Sequence, residues 1–287
     1  MNNKILTIRN HNFIWGQKTF LMGILNVTPD SFSDGGDFYD LSSSIAQVEH
    51  FVNYNVDIID IGGQSTRPGA IQVSLDEELS RVIPIIKSIR AKGGKYADIP
   101  ISIDTNKSKV AQLAIAAGAD LINDISAGTF DDKMLSTVAK LNVPIILMHI
   151  KGKPENMQSL TDYQDLIGEV YAFLEERILA AIKAGINPDK IIIDPGIGFA
   201  KNYMQNIELL RNLERFKKLG YPLLIGVSRK SFIGHILNES DPKKRIWGTL
   251  GANCIAIANG ADILRVHDVA EMQDIIKVVD VILRTRE

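Results

Sequence analysis

Residues 20–36 read FLMGILNVTPDSFSDGG, and this stretch decides how the chain folds. Its first six residues, 20–25, are all apolar or small and leave no polar face, which predicts a buried strand. From Asn26 onward the residues are polar and turn-forming, so a long loop is expected before a helix near Ser42. A β-to-α connection normally takes about 2–6 residues. We therefore expect this loop to have a task in binding or catalysis.

The alternation of a short apolar run with an amphipathic segment continues to the end of the chain. After the first strand, we predict strands at residues 56–61, 99–104, 120–124, 143–148, 190–194, 222–227 and 262–266. Helical patterns are predicted at residues 42–54, 75–91, 108–117, 132–141, 163–184, 206–217, 244–259 and 271–284. Eight such units predict an α/β fold, a single (β/α)8 TIM barrel. A doubly wound open sheet is the alternative, but no GxGxxG follows the first strand.

The ends of the predicted elements support one continuous domain. Four predicted helices are followed by a glycine suited to a left-handed C-cap: Gly118, Gly185, Gly220 and Gly260. Residues 5–8 and 13–15 predict a short β-hairpin turning at residues 10–12, and we expect residues 1–17 to cap the barrel bottom. Because a barrel takes about 250 residues and no low-complexity linker interrupts the chain, we predict a single domain over residues 1–287.

The composition excludes several classes of protein. The formal net charge is −2 with acids and bases interspersed, which argues against a nucleic-acid partner. The single cysteine, Cys254, cannot form an internal disulfide, which favours a reducing compartment. The N-terminus lacks the apolar segment of a signal peptide, and no apolar run reaches membrane-spanning length. We expect a soluble cytoplasmic protein with no membrane partner.

Polar residues close most of the predicted strands, and in a barrel the C-terminal strand ends hold the chemistry. Asp104, Asn123 and Asp194 form an acidic and amide set that would point toward the centre of the mouth. Buried carboxylates need partners, and a flat heterocycle with adjacent N–H donors would supply them. A pterin and a guanine edge fit equally well by this reasoning. Met148 and Phe199 could sandwich such a ring, although residues of these types are more often simply core.

A second set of residues is basic: Arg67, Lys230, Arg265 and His267. We interpret it as a cationic rim that binds phosphate or diphosphate, which the loops after strands seven and eight of barrels often bind. Asn26 lies where the diphosphate would sit, and Mg²⁺ needs only one protein oxygen beside phosphates and water.

Other chemistries leave no trace in the sequence. No zinc spacing and no GxSxG motif is present. Ser231, one position after Lys230, is placed to hydrogen-bond a second substrate.

Taken together, the motifs resemble the dihydropteroate synthase family, the pterin-binding TIM barrels of the folate pathway. The resemblance covers almost the whole chain and rests on MGILNVTPDSFSDGG (22–36), IIDIGGQSTRPGA (58–70), ISIDT (101–105), LINDI (121–125), LMH (147–149), DPGIGF (194–199), GVSRKS (226–231) and RVHDV (265–269). It implies condensation of 6-hydroxymethyl-7,8-dihydropterin diphosphate with 4-aminobenzoate by a dissociative displacement. It further implies Mg²⁺ as cofactor and a homodimer formed through the last helices.

The resemblance also implies a role for each matching position. Pterin-binding residues would be Asp104, Asn123, Asp194, Lys230, Arg265, Met148 and Phe199, with Arg265 stacked over the ring. Diphosphate would be bound by Asn26, Arg67, Arg265 and His267, with Mg²⁺ at Asn26. The 4-aminobenzoate site would include Thr66, Arg67, Pro68, Phe32, Lys230 and Ser231. Catalysis would rest on Lys230, Arg265, His267 and Asn26, and the loops at residues 27–39 and 64–74 would be mobile.

Two residues depart from the family pattern. Gln64 stands where the family usually has Glu, and Ala200 stands where it usually has Gly. Neither removes a ligand group, but both bear on loop dynamics.

Two other functions compete with this interpretation. A methyltetrahydrofolate-dependent methyltransferase would share the pterin pocket, but it needs no cationic diphosphate site. A non-catalytic pterin-binding subunit is disfavoured because the residues of the first two loops are intact.

Overall fold

The computed structural model describes residues 5–27 and 41–284, which form a parallel barrel surrounded by helices. Its strands are β1 (Ile5–Ile8), β2 (His11–Ile14), β3 (Phe20–Asn26), β4 (Ile58–Gly62), β5 (Ile101–Asp104), β6 (Leu121–Asp124), β7 (Ile145–Met148), β8 (Ile191–Asp194), β9 (Leu224–Ile225) and β10 (Ile263–Val266). The eight strands β3 to β10 pair in parallel in the order β8-β7-β6-β5-β4-β3-β10-β9. A bridge between Ile193 and Leu223 joins the two edges, so the predicted (β/α)8 barrel is confirmed.

The helices are α1 (Leu41–Asn53), α2 (Leu75–Ala91), α3 (Gly94–Asp98), α4 (Ser108–Ala117), α5 (Met134–Leu141), α6 (Leu166–Lys183), α7 (Tyr203–Arg211), α8 (Leu213–Lys217), α9 (Ser231–Leu237), α10 (Ile246–Ala258) and α11 (Val269–Leu283). The sequence did not predict α3 or α9. The predicted helix at residues 206–217 is two helices that break at Asn212, and a capping box between Asn202 and Gln205 starts the first one earlier. The four helix-ending glycines all have φ between 80° and 118°, as expected.

The N-terminal hairpin is confirmed, although its turn falls at Arg9 and Asn10 rather than at residues 10–12. Arg9 adopts the left-handed conformation (φ 52°), so the second strand already begins at His11. Leu6, Ile8 and Phe13 of the hairpin belong to one buried cluster. Its other members lie near the N-terminal ends of the barrel strands: Phe20, Met22, Ile58, Leu121, Ile146, Ile192, Leu224 and Ile263. The hairpin therefore fills the N-terminal end of the barrel with apolar side chains.

One charged cluster holds the hairpin to the barrel bottom. Asp120 accepts hydrogen bonds from Arg9 Nε (2.6 Å), Arg90 Nη2 (2.6 Å) and the backbone N–H of Ile101 (2.8 Å). Arg90 also donates to the carbonyl oxygens of Gly118, Tyr96, Ala97 and Ile99. One carboxylate is thus shared by two guanidinium groups.

Within residues 5–27 and 41–284, no helix has the length and apolarity needed to span a membrane.

Candidate active site

The opposite end of the barrel gathers buried polar side chains at the C-terminal strand ends. Asp60, Asp104, Asn123 and Asp194 come from four different strands, and all are at most 6% exposed. The register pairs Asp104 with Asn123 on neighbouring strands, which brings their side chains to the same level. The structure therefore assembles the predicted acidic and amide set, together with Asp60, to which the sequence assigned no role.

Arg265 lies inside this acidic set. Its Nε donates to Asp60 Oδ2 (2.6 Å), and its Nη2 donates to Asp104 Oδ2 (2.8 Å). Asn123 Nδ2 also donates to Asp60 Oδ2 (3.1 Å). The sequence divided acids from cations, but the structure joins them into one cluster in which two carboxylates share a single guanidinium group.

The sharing of one guanidinium group by two buried carboxylates affects the pKa values of the acids at the mouth. Burial raises the pKa of Asp104 to about 7 against the attraction of Arg265, and the charge of Asp60 adds to the rise. Burial also raises the pKa of Asp194, which is opposed by the backbone N–H of Gly196 and by the charge of Lys230. An additional hydrogen-bond donor placed here would favour the charged form of both acids.

An apolar wall lies beside the acids. Met148 is buried in a small cluster, against which Phe199 packs; its members are Ile125, Met148, Ile150, Met157, Ala200, Phe130 and Phe199. Lys230 Nζ lies 4.6 Å from the centre of the Phe199 ring and donates to the carbonyl oxygen of Ile197. Burial lowers the pKa of Lys230 to about 8. One wall thus presents a thioether, an aromatic face and an ammonium group to the space next to Asp194.

His267 is not the cation that the sequence predicted. Its Nδ1 lies 2.9 Å from Ser228 Oγ, which also accepts from the backbone N–H of His267. Burial lowers the pKa of His267 to about 3, and the charges of Arg229, Arg265, Arg67 and Lys230 act in the same direction. The imidazole is therefore neutral at pH 7, chiefly because it is buried and also because basic side chains surround it.

The loop after β4 carries Thr66, Arg67 and Pro68, and its backbone is held to a neighbouring loop. Gly69 N–H donates to the carbonyl oxygen of Pro154 (3.0 Å), and Ala70 N–H donates to that of Arg67 (3.0 Å). Arg67 itself is exposed but close enough for its charge to lower the pKa of His267. The structure therefore brings this loop to the basic side of the mouth.

Gln64 fastens the base of the same loop. Its Oε1 accepts from Lys107 Nζ (2.7 Å) and from the backbone N–H of Val73 (3.3 Å). Lys107 also pairs with Glu78, a carboxylate that is 1% exposed. A neutral amide at position 64 gives Lys107 one carboxylate partner instead of two. The other departure, Ala200, is buried and lies in the left-handed region (φ 51°).

The remaining predicted residues lie at the edges of the mouth. Asn26 ends β3, where its Oδ1 and Asp104 Oδ2 would both lie 3.6 Å from a Cβ placed on Gly62. Ser231 is exposed at the start of α9. Phe32 and most of the predicted loop at residues 27–39 lie outside the described residues.

Comparisons with known proteins agree with this arrangement. The profile of the pterin binding enzyme family matches residues 22–267. Dihydropteroate synthase of Synechocystis is 57% identical over 272 residues, 95% of this chain and 93% of the relative.

Two solved structures are also similar to this chain in their three-dimensional fold. Xanthomonas albilineans dihydropteroate synthase with 4-aminobenzoic acid is 40% identical, with a TM-score of 0.91 over 99% of this chain and 100% of that chain. The complex of the Xanthomonas albilineans enzyme with 7,8-dihydropteroate is 38% identical, with a TM-score of 0.84 over 99% and 97%.

The chain therefore belongs to the pterin-binding enzyme family. Within that family, its relatives from Synechocystis and Clostridium beijerinckii are dihydropteroate synthases, and its activity is that of a transferase in folate biosynthesis.

Proposed function

We propose that the barrel mouth condenses 6-hydroxymethyl-7,8-dihydropterin diphosphate with 4-aminobenzoate and releases 7,8-dihydropteroate and diphosphate. The observation that carries this proposal is the cluster in which Asp60 and Asp104 share Arg265. In this cluster two buried carboxylates share the donors of one guanidinium group, and the edge of a pterin carries further N–H donors. Relatives crystallised with 4-aminobenzoic acid and with 7,8-dihydropteroate support both the second substrate and the product.

In this proposal the ring binds between the acids and the apolar wall. Asp104, Asn123 and Asp194 accept from or donate to its edge, and Arg265 stacks over its face while Asp60 holds the guanidinium group. Met148 and Phe199 cover the faces of the ring, and Lys230 donates to its acceptor atoms. The charged hydrogen bonds contribute about 1.5–3 kcal/mol each.

The diphosphate would bind on the basic side of the mouth. Arg67 and Arg265 supply permanent charge, whereas neutral His267 supplies a ring N–H or accepts a proton as negative charge arrives. The main catalytic effect that we assign to these residues is the stabilisation of negative charge on the departing diphosphate.

Mg²⁺ is part of the proposal and fits a single protein oxygen. Among residues 5–27 and 41–284, no cluster of three or more His, Cys, Asp or Glu residues could hold a metal on its own. Asn26 Oδ1 offers one oxygen at the mouth, and Mg²⁺ commonly completes its octahedron with phosphate oxygens and water. When bound, the ion would neutralise charge on the diphosphate.

We assign a dissociative displacement to the chemical step. The bond between the pterin methylene carbon and the diphosphate oxygen breaks, and its electron pair leaves with the diphosphate. The lone pair of the aryl amine then forms the carbon–nitrogen bond, and the nitrogen releases a proton to water. An aryl amine is unprotonated at pH 7, so no strong base is needed. Thr66, Arg67, Pro68, Phe32, Lys230 and Ser231 would border the 4-aminobenzoate.

A kinetic assay tests the proposed function. Purified chain with both substrates and Mg²⁺ should release diphosphate, and Lys230→Ala should lose most of kcat/KM. Lys218→Ala is the matched control, because this lysine is exposed at the end of α8. Failure of the wild-type chain to form 7,8-dihydropteroate from the two substrates, or a near wild-type Lys230→Ala, would refute the assignment. Tighter binding of guanine than of a pterin would refute the ring assignment.

A homodimer and a cytoplasmic location complete the proposal. Large apolar side chains are exposed on α10 and α11, among them Trp247 (79%), Val281 (65%) and Ile282 (71%). Such a surface favours burial against a second copy. Sedimentation velocity should give the mass of a dimer, and Ile282→Glu should shift it toward the monomer. The lone thiol of Cys254 is consistent with a reducing compartment.

A further inference from the structure

Residues 195–201, which we call the 195–201 turn, carry Phe199 from the end of β8 to α7. Every backbone carbonyl from Gly196 to Lys201 accepts a hydrogen bond from a specific donor. These donors are Phe199 N for Gly196, Lys230 Nζ for Ile197, Gln158 Nε2 for Gly198, Lys201 Nζ for Phe199, Tyr163 Oη for Ala200 and Asn206 Nδ2 for Lys201. A loop held at each carbonyl has one defined shape, which a ring-binding wall needs.

Lys201 differs from the other donors because its amino group is enclosed, and burial lowers the pKa of this group well below its usual range against the attraction of Asp194. It is 2% exposed, and its Nζ donates to the carbonyl oxygen of Phe199 at 2.8 Å. The Nζ also lies 2.9 Å from His149 Nδ1, and burial lowers the pKa of His149 to about 2, so the imidazole is a neutral acceptor. Among residues 5–27 and 41–284, the hydrogen-bond partners of Lys201 Nζ are both neutral. A buried cation with only neutral partners costs stability, which calls for a compensating role.

Two contacts place this cation directly behind Asp194. The backbone N–H of His149 donates to the Asp194 carbonyl oxygen at 2.9 Å. A Cβ on Gly196 would lie 2.0 Å from the His149 carbonyl oxygen and 3.5 Å from Lys201 Nζ, so the turn packs onto this pair without room for a side chain. Lys201 therefore lies close enough to Asp194 for its positive charge to oppose the effect of burial on the pKa of that carboxyl group.

We propose that Lys201 is a positioning residue of the pterin site, which fixes the Phe199 backbone and favours the ionised form of Asp194 for the ring N–H donors. This inference rests on the proposed function and adds a residue that does not touch the substrate. Lys201 acts through Phe199 and Asp194, so it affects binding of the pterin substrate more than the departure of diphosphate or the attack of the amine.

The test compares a replacement that removes both the charge and the N–H donors of Lys201 with one that removes the charge but keeps an N–H donor. In Lys201→Met, KM for dihydropterin diphosphate should rise at least tenfold, while KM for 4-aminobenzoate changes less than threefold. The melting temperature should stay constant or rise, because a buried cation without an ion pair is lost. Lys201→Gln keeps an N–H donor and should recover part of the loss in KM. A purely structural role predicts a falling melting temperature and equal changes in both KM values.

Tyr163→Phe is the matched control, because it removes a neutral donor from the same turn. Its KM for the pterin substrate should change less than threefold. An unchanged pterin KM in Lys201→Met, or in Lys201→Gln if the Met variant does not fold, would overturn the inference. An equal rise in Tyr163→Phe would overturn the role of the charge. Wild-type chain that releases no diphosphate would instead refute the proposed function, so the two failures are distinguishable.

Discussion

Each end of the barrel holds a cluster of three charges, and the two clusters have opposite composition. At the bottom, the single carboxylate of Asp120 is shared by Arg9 and Arg90. At the mouth, the single guanidinium group of Arg265 is shared by Asp60 and Asp104. The bottom cluster also donates to four backbone carbonyls, whereas Asp60 Oδ1 at the mouth has no hydrogen-bond partner among the described residues.

This difference separates a cluster that stabilises the fold from one that awaits a ligand. A buried acceptor without a donor costs about 1–3 kcal/mol, which a fold without function would avoid. The bottom is complete because all of its donors and acceptors come from the chain. In the proposed complex an N–H-rich ring would give Asp104 and Asp194 further donors, whereas Asp60 is fully buried and keeps its contact with Arg265.

The largest effect that we predict concerns the bottom cluster. Arg90→Met should lower the free energy of unfolding by about 3–5 kcal/mol, because it leaves Asp120 and several carbonyls short of donors. Arg9→Met removes the other partner of the same carboxylate, but this side chain is 31% exposed and the change should stay within about 1 kcal/mol. Urea denaturation measures both. A changed KM in folded Arg90→Met would contradict the division between the two ends.

The next effect concerns the mouth and should appear in kinetics. Asp60→Asn weakens the support of Arg265 and Asn123, so kcat/KM should fall about tenfold to a hundredfold, which corresponds to about 1.5–3 kcal/mol. The free energy of unfolding should change by less than about 1 kcal/mol, because one of two like charges is removed. Steady-state kinetics and urea denaturation together test this. A large loss of stability with normal kinetics would reverse the roles of the two clusters.

The smallest effect is a dependence of stability on pH that comes from the mouth. The pKa of Asp104, raised to about 7, exceeds its unfolded value of about 4, so the folded state binds more protons between these values. Stability therefore falls as pH rises from 4 to 7, and the full penalty is present above pH 7.

Asp104→Asn removes this contribution. Between pH 5 and pH 7, its free energy of unfolding should fall less than that of the wild type, by up to about 1 kcal/mol per pH unit. Urea denaturation at the two pH values gives the comparison. Parallel pH curves for the two proteins would show that Asp104 is already ionised throughout.

The sequence predicted the elements whose pattern is local. The eight apolar runs correspond to the eight barrel strands. The glycines after four helices adopt the left-handed conformation, as predicted. It missed α9, because SFIGHIL has seven residues with an internal glycine and shows no clear period. It overextended β9, since Leu223 N–H donates to Asp262 Oδ2 and only Leu224 and Ile225 enter the ladder.

At the site, residue types were predictable but their partners were not. Asp104, Asn123 and Asp194 follow from their positions at strand ends. The pairing of Arg265 with Asp60 joins residues 205 positions apart and is invisible in a local pattern. His267 was predicted as a cation because its burial and the four basic side chains around it arise only in the folded chain.

The hairpin that fills the barrel bottom also bears on how the chain folds during synthesis. It is synthesised before the barrel strands, yet Arg9 pairs with Asp120 and the hairpin packs against Ile192, Leu224 and Ile263. Most of the barrel must leave the ribosome before these partners exist, so the hairpin can only dock late. Contacts between such distant parts of a chain slow folding. Until the hairpin docks, Phe13 and its apolar neighbours stay exposed and can aggregate with other chains. This is the stage of folding at which chaperones act.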